Sequence, residues 1–198
     1  MRKPTRAAVA AASAVLLGTL TACSGGSQAQ PENRPTTTGP TPQAPSGVSI
    51  TDPKDAAAVP LCDLLPSEAA KSLGFKDQGK KNEAILSDGP PFCVWKDPQG
   101  SGTKVMVSVL KRKIADYYAS PDTWSDFRKI TVASHPAVRA NKGNPVNTGY
   151  CDVYLATQKS QILLSQVSVP ASERPATKPC QLSRKVLEAV VPTLPPAQ

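Results

Sequence analysis

Five cysteines limit what this chain can become, and the first of them governs how the other four are read. Cys23 follows Leu20-Thr21-Ala22 at the end of a short apolar run, a pattern that reads as a lipobox, the cleavage and acylation site of a bacterial lipoprotein. Ahead of it, Arg2, Lys3 and Arg6 form a basic head without an acid, and Ala7 to Leu20 is Ala, Val and Leu with one Ser, one Gly and one Thr. A basic head, a short apolar body and small residues before the cut predict an export signal over residues 1–22. The run is shorter than the roughly 20 residues that span a bilayer. An ordinary secretory signal cut near Ala22 is the alternative, because Thr21 and Ala22 suit either peptidase. A Cys directly behind Leu-Thr-Ala favours the lipoprotein. Two acyl chains on Cys23 suffice for a stable anchor, each buried methylene contributing about 0.8 kcal/mol.

An exported domain meets oxidising surroundings, so Cys62, Cys93, Cys151 and Cys180 read as disulfide partners. Four cysteines permit three connectivities. Cys62–Cys93 and Cys151–Cys180 are expected, because each pair lies in one half of the domain and flanks elements that should pack together. Each bridge would close a loop of about 30 residues, worth about 3 to 4 kcal/mol in the chain-entropy model. Zinc fits poorly: no pair has Cys-x-x-Cys spacing and the chain has 1 His. No metal and no cofactor are expected.

Behind Cys23 the composition shifts to Ser, Gly, Gln, Thr and Pro, with Pro35-Thr36-Thr37-Thr38-Gly39-Pro40-Thr41-Pro42-Gln43-Ala44-Pro45 at its centre. Little here is apolar enough to offset the entropy of ordering the backbone. Residues 23–58 are therefore expected to be a disordered tether, extended by Pro to about 3.1 Å per residue. Thr clustered with Pro is also the composition of a glycosylated stalk, although a plain spacer explains it. Residues 59–198 are then the globular domain, of a size that builds one hydrophobic core. Without Arg2, Lys3 and Arg6 the chain keeps 20 basic against 15 acidic residues, a net charge of +5 instead of +8. The excess is spread over Lys80-Lys81, Lys111-Arg112-Lys113, Arg128-Lys129 and Arg184-Lys185, which read as solvated faces or as attraction to anionic lipids or wall polymers. Nothing in the sequence reads as a nucleic-acid motif.

Along the domain, Leu61 to Gly74 predicts a short helix with Pro66 in its first turn, Leu65, Ala69 and Leu73 facing the core, and Gly74 ending it. Asn82–Ser87 and Pro91–Lys96 read as strands around Asp88-Gly89-Pro90, with Trp95 packing over the bridge from Cys93. Lys104–Leu110 is a strand after the turn Pro98–Gly102. Ile114–Ala119 is ambiguous, with a helical alternative. Ser120-Pro121-Asp122 reads as a helix start, with Trp124 and Phe127 as that helix's apolar edge. Lys129–Ala133 and Ala137–Ala140 are strands bracketing Ser134-His135-Pro136, Asn141–Gly149 is a loop, and Cys151–Leu155 with Gln161–Val169 forms a hairpin. Pro179–Val191 is a helix with Leu182, Val186 and Val190 on one face, and Leu187 and Val191 beside it. The sum is α+β: an antiparallel β-sheet packed on one face by an N-terminal and a C-terminal helix, with two disulfides.

Catalytic patterns fail one by one. His135, the single histidine, would have to serve any Ser-His-Asp or Cys-His mechanism, and no Gly-x-Ser-x-Gly elbow accompanies it. Ser101-Gly102-Thr103-Lys104 matches Ser-x-x-Lys but enters a strand instead of a helix. Gly74 to Lys80 has phosphate-loop spacing as far as the Lys, yet Lys81 stands where Ser or Thr would hold magnesium. Asp116, Asp122 and Asp126 read as capping and solvent-facing residues.

Taken together, the lipobox, the Thr/Pro tether, Cys62-Asp63-Leu64-Leu65, Glu68-Ala69-Ala70, Leu73-Gly74, Cys93-Val94-Trp95, Pro136-Ala137-Val138, Cys151 and the late Cys180 resemble the actinobacterial lipoproteins grouped as domain of unknown function 3558. The resemblance implies a cell-envelope lipoprotein and carries over no catalytic set. A likeness to the PsbP and Mog1 type of sheet is one of topology alone. The expected role is a non-enzymatic binding or scaffold module on the outer face of the cytoplasmic membrane, held by the lipid on Cys23, with an envelope protein or wall polymer as partner. The alternatives are a small-molecule or lipid binder with a pocket between sheet and helices, and, behind it, an envelope hydrolase.

Overall fold

The computed structural model of the chain describes residues 48–82, 89–174 and 176–198. Among them, β1 (Lys80–Asn82), β2 (Phe92–Lys96), β3 (Lys104–Leu110), β4 (Asp126–Val132), β5 (His135–Asn141), β6 (Tyr150–Gln158) and β7 (Gln161–Ser168) form one sheet. Their order is β1-β2-β3-β7-β6-β5-β4 and every neighbouring pair is antiparallel. The chain descends one meander to β3, crosses to the opposite edge, and returns by a second meander that sets β7 beside β3. The crossing segment carries α2 (Ile114–Ala119), so this ambiguous stretch is helical.

The alternation of β3, β6 and β7 divides the core in two. On one face Val105, Val107, Val153, Leu155, Leu163 and Val167 are all within 1 % of full burial. They meet Leu64 and Leu65, α1 (Ser67–Ser72), and Val186, Leu187 and Val190 of α4 (Pro179–Val190). The terminal helices therefore share a face, as the α+β reading requires. Within α1 the buried residue is Ala70, with Ala69 and Leu73 partly buried, and Gly74 takes the left-handed conformation. On the other face Val138, Ala140, Tyr154, Ala156, Ile162 and Leu164 pack against Ile114 and Tyr117 of α2, with Val48 and Ile50 at the margin. This second cover is an addition to the expected single layer, because these strands are apolar on both sides.

Several expectations need correction. Residues 48–58 are placed in the tether by composition, yet Ala56 is fully buried, Lys54 bridges Pro196, and Asp55 donates its N–H to the carbonyl of Pro195. A polar stretch is ordered here because the sheet and C-terminus supply its hydrogen bonds. The helix expected after Ser120 is one 3-10 turn, Pro121–Thr123, without a side-chain cap from Ser120. Trp124 is extended and Phe127 lies in β4, because pairing with β5 begins at Asp126↔Asn141 and captures the segment as strand. The first strand of the Gly89-Pro90 hairpin is Lys80–Asn82, and the remainder of the expected Asn82–Ser87 strand lies outside the described residues. The turn between β4 and β5 is Ala133-Ser134, with φ of 46° and 65°, so His135 starts a strand. Pro136 is tolerated there because the pairing of β5 with β6 begins only at Ala137. Inside the expected Asn141–Gly149 loop stands α3 (Pro145–Thr148), whose N-cap Asn144 accepts the Val146 N–H at 2.9 Å.

Candidate functional site

Both disulfides form as expected. Cys62, in a 3-10 turn, joins Cys93 of β2, and Cys151 of β6 joins Cys180 in the first turn of α4. Cys23, the leader and the Pro/Thr centre of the tether lie outside the described residues.

His135 is buried, and both ring nitrogens face backbone carbonyls, Nδ1 to Ala133 and Nε2 to Asp52, each at 2.8 Å. It ties residues 48–55 to the β4–β5 hairpin. Asp152 is a carboxylate whose titration is pushed upward, because burial outweighs hydrogen bonds from Gln166 and Tyr154. Asp152 and His135 share no hydrogen-bond partner, so they do not form an acid–base pair. Ser101 sits in the turn before β3, where the Asp97 carboxylate accepts N–H bonds from Ser101 and Gly102 at 3.1 and 3.0 Å. Lys104 is exposed and directly opposite Lys96. Gly79 of the phosphate-loop pattern packs against Trp95. Among the described residues no group of three His, Cys, Asp or Glu side chains is placed to hold a metal ion.

Asp116 and Asp122 are exposed, but Asp126 is not the solvent-facing residue expected. Its carboxylate pairs with the Arg139 guanidinium through Oδ1 and accepts from Asn141 Nδ2 at 2.9 Å through Oδ2. Asn141 in turn accepts the Asp152 N–H at 2.7 Å. Antiparallel register places these groups together: Asp126 faces Asn141, and two residues on Arg128 faces Arg139. Two guanidinium groups directly opposite across a ladder repel each other, and the Asp126 carboxylate offsets this through Arg139.

This pair forms one wall of a cleft of about 450 Å³ beside the start of α4. The remaining walls come from α3, from the segment after β7, and from Lys178, Pro179, Cys180 and Gln181. Arg128, Arg139, Arg174 and Lys178 line it against the single carboxylate of Asp126. Arg174 donates through Nη1 to the carbonyls of Asn147 and Val146, closing the C-terminal end of α3. It can lie there because Gly149 lacks a side chain: a Cβ at that position would meet the Arg174 guanidinium at 3.2 Å and collide with the Val169 carbonyl. The Nε–H groups of Arg139 and Arg174 are buried and have no hydrogen-bond partner among the described residues. A buried donor left unmade costs about 1–3 kcal/mol. Helix α4 has Pro179 at its start, no side-chain cap and no acid in its first turn, so its positive end is uncompensated. Val146, two-thirds exposed, stands at the rim as the most exposed large apolar residue described.

Of the cleft's cations only Arg128 stands out in the sequence, as half of the basic pair Arg128-Lys129. Arg139 and Arg174 carry no local signal, because their roles depend on the register of β4 with β5 and on the return of the chain after β7.

Set against known protein families, residues 18–193 match a family model described as "Protein of unknown function (DUF3558)". No curated protein and no solved structure matches the chain. Among the described residues no helix is long and apolar enough to cross a membrane.

Proposed function

We propose that this chain, which belongs to the DUF3558 family, is a membrane-anchored extracytoplasmic binding protein without catalytic activity, held by a lipid on Cys23. Its ligand-receiving surface is the cleft beside α4, and its partner is an envelope protein or wall polymer. The observation that carries this reading is how the cleft is built. One wall, α4, is covalently tied to β6 by Cys151–Cys180, and another is the rigid β4–β5 ladder. Walls fixed before binding spare the ligand the cost of ordering them. The polar side chains that line it are four cations, the amides of Asn144 and Gln181, the hydroxyls of Ser125 and Thr177, and one carboxylate already in an ion pair, a set suited to recognition. His135, which a Ser-His-Asp or Cys-His mechanism would need, has both nitrogens facing backbone carbonyls. A volume of about 450 Å³ also falls within the range of small-molecule sites, which keeps the small-molecule reading in view for this same cleft.

The experiment is photo-cross-linking in intact cells from an unnatural residue at Val146, on the cleft rim. A reproducible adduct that disappears when Arg139→Ala is added supports the reading. Adducts indifferent to that change, or turnover of a wall substrate by the purified chain, refute it. In the same cells Cys23→Ser should move the protein out of the membrane fraction. Unchanged fractionation removes the anchor from the reading.

A further inference from the structure

We infer that the α4 cleft receives a phosphate group borne by its ligand, an inference that rests on the reading of this cleft as the binding surface. Four cations meet one carboxylate in a space of about 450 Å³, and the carboxylate is committed to Arg139 and Asn141. Arg128, Arg174 and Lys178 are left without an acidic partner among the residues that line the cleft. The arrangement works against the fold's own stability, since Arg128 is set directly opposite Arg139 where a neutral residue would serve the ladder better. An anion between them reverses that repulsion.

Phosphate matches the donors better than a carboxylate does. The cations come from β4, β5, the segment after β7 and the start of α4, so they approach from several directions. A tetrahedral oxyanion offers acceptors in several directions, whereas a carboxylate offers two in one plane. Guanidinium groups bind phosphate as planar forks with more than one hydrogen bond. Beyond the charges the rim turns apolar at Pro145 and Val146, which suits the carbon skeleton of a phosphate ester. The ligand class is therefore a phosphorylated polyol, whether from a wall polymer or a lipid headgroup, or free phosphate.

The test is a nitrogen-15 NMR titration of the full chain carrying Cys23→Ser, with inorganic phosphate, glycerol 3-phosphate and acetate in separate arms. Saturable shifts at the amides of Arg128, Arg139 and Gln181 are expected with both phosphates and not with acetate. Arg128→Gln and Lys178→Gln should each weaken phosphate binding about tenfold or more, with an otherwise unchanged spectrum. Tighter binding of glycerol 3-phosphate identifies an ester as the ligand, and equal binding identifies the free ion; both support the inference. Absence of saturable shifts, shifts insensitive to both substitutions, or equal shifts with acetate overturn it. Should the Val146 cross-link persist while phosphate fails to bind, the binding reading stands and the phosphate inference falls alone. Phosphate binding without any cross-link supports the phosphate site and refutes the macromolecular partner.

Discussion

Gly79 lies flat against Trp95: a Cβ built on it would sit 2.6 Å from Cε2 of the indole and would also collide with Cys93 Sγ. The ring is fully buried beside the Cys62–Cys93 bridge, so neither it nor the disulfide can yield. Gly79 is thus required by the packing of the first disulfide, and the phosphate-loop spacing from Gly74 to Lys80 is coincidental.

Substituting Gly79→Ala should therefore destabilise the domain by about 1–3 kcal/mol through overpacking. Urea unfolding followed by tryptophan fluorescence measures this. An unchanged midpoint would mean that the bridge and the ring shift freely, contrary to the packing described.

The two disulfides should separate stability from binding. They span 31 and 29 residues, so removing either is expected to cost about 3–4 kcal/mol by the same chain-entropy relation. Only Cys151→Ala with Cys180→Ala loosens a wall of the cleft, and only that variant should also lose the Val146 cross-link. Equal loss of cross-linking on removing Cys62–Cys93 would show that the cleft depends on overall stability and not on its own tie.

Asp152 gives a pH dependence whose sign is opposite to that of a paired carboxylate. Burial holds its folded-state carboxyl above the usual aspartate range, against hydrogen bonds from Gln166 and Tyr154. Between the unfolded and the folded value the native state binds more protons than the unfolded one, so this residue's contribution improves as pH falls through that window and stays at its least favourable, constant level above it. Asparagine keeps an acceptor for Gln166 and removes the buried charge. Asp152→Asn should raise the urea midpoint near neutrality, and the gap between variant and parent should narrow on acidification. A gap that widens instead refutes the assignment.

Arg128 should show a trade between binding and stability. Removing a like charge directly opposite Arg139 is expected to stabilise the domain by about 0.2–1 kcal/mol, even as phosphate affinity falls. The gain should shrink with added salt, since Arg128 is exposed and its repulsion is screened. Thermal melts of Arg128→Gln at low and high ionic strength, without phosphate, measure both effects. A loss of stability at low salt would mean that Arg128 has a structural partner on the free protein.

Local signals served the elements well where chain chemistry dominates. The segment from Cys151 and Gln161–Val169 read as a hairpin and pair as β6 and β7; Gly74 ends α1; the Leu182, Val186 and Val190 stripe becomes α4. They failed where partners distant in sequence decide. Trp124 stands beyond a Ser-Pro-Asp helix signal but is held by the rings of Tyr117 and Tyr154, with centroids 5.8 and 6.4 Å away. Residues 48–58 look like tether, yet Asp52, Lys54 and Asp55 bond to His135, Thr157 and Pro195, far along the chain.

The amino-acid order alone therefore determined the family and the α+β class, and favoured one of three pairings of the four cysteines, which the structure then decided, because helix periodicity and strand alternation are properties of short stretches. Only the tertiary structure decided which side chains line the proposed cleft. Strand register sets Arg128 against Arg139, the return after β7 adds Arg174, and the Cys151–Cys180 bridge carries the start of α4 and Lys178 alongside. No local pattern encodes that convergence, since opposed strands and the ends of helices come together only when the whole sheet has closed its hydrogen bonds.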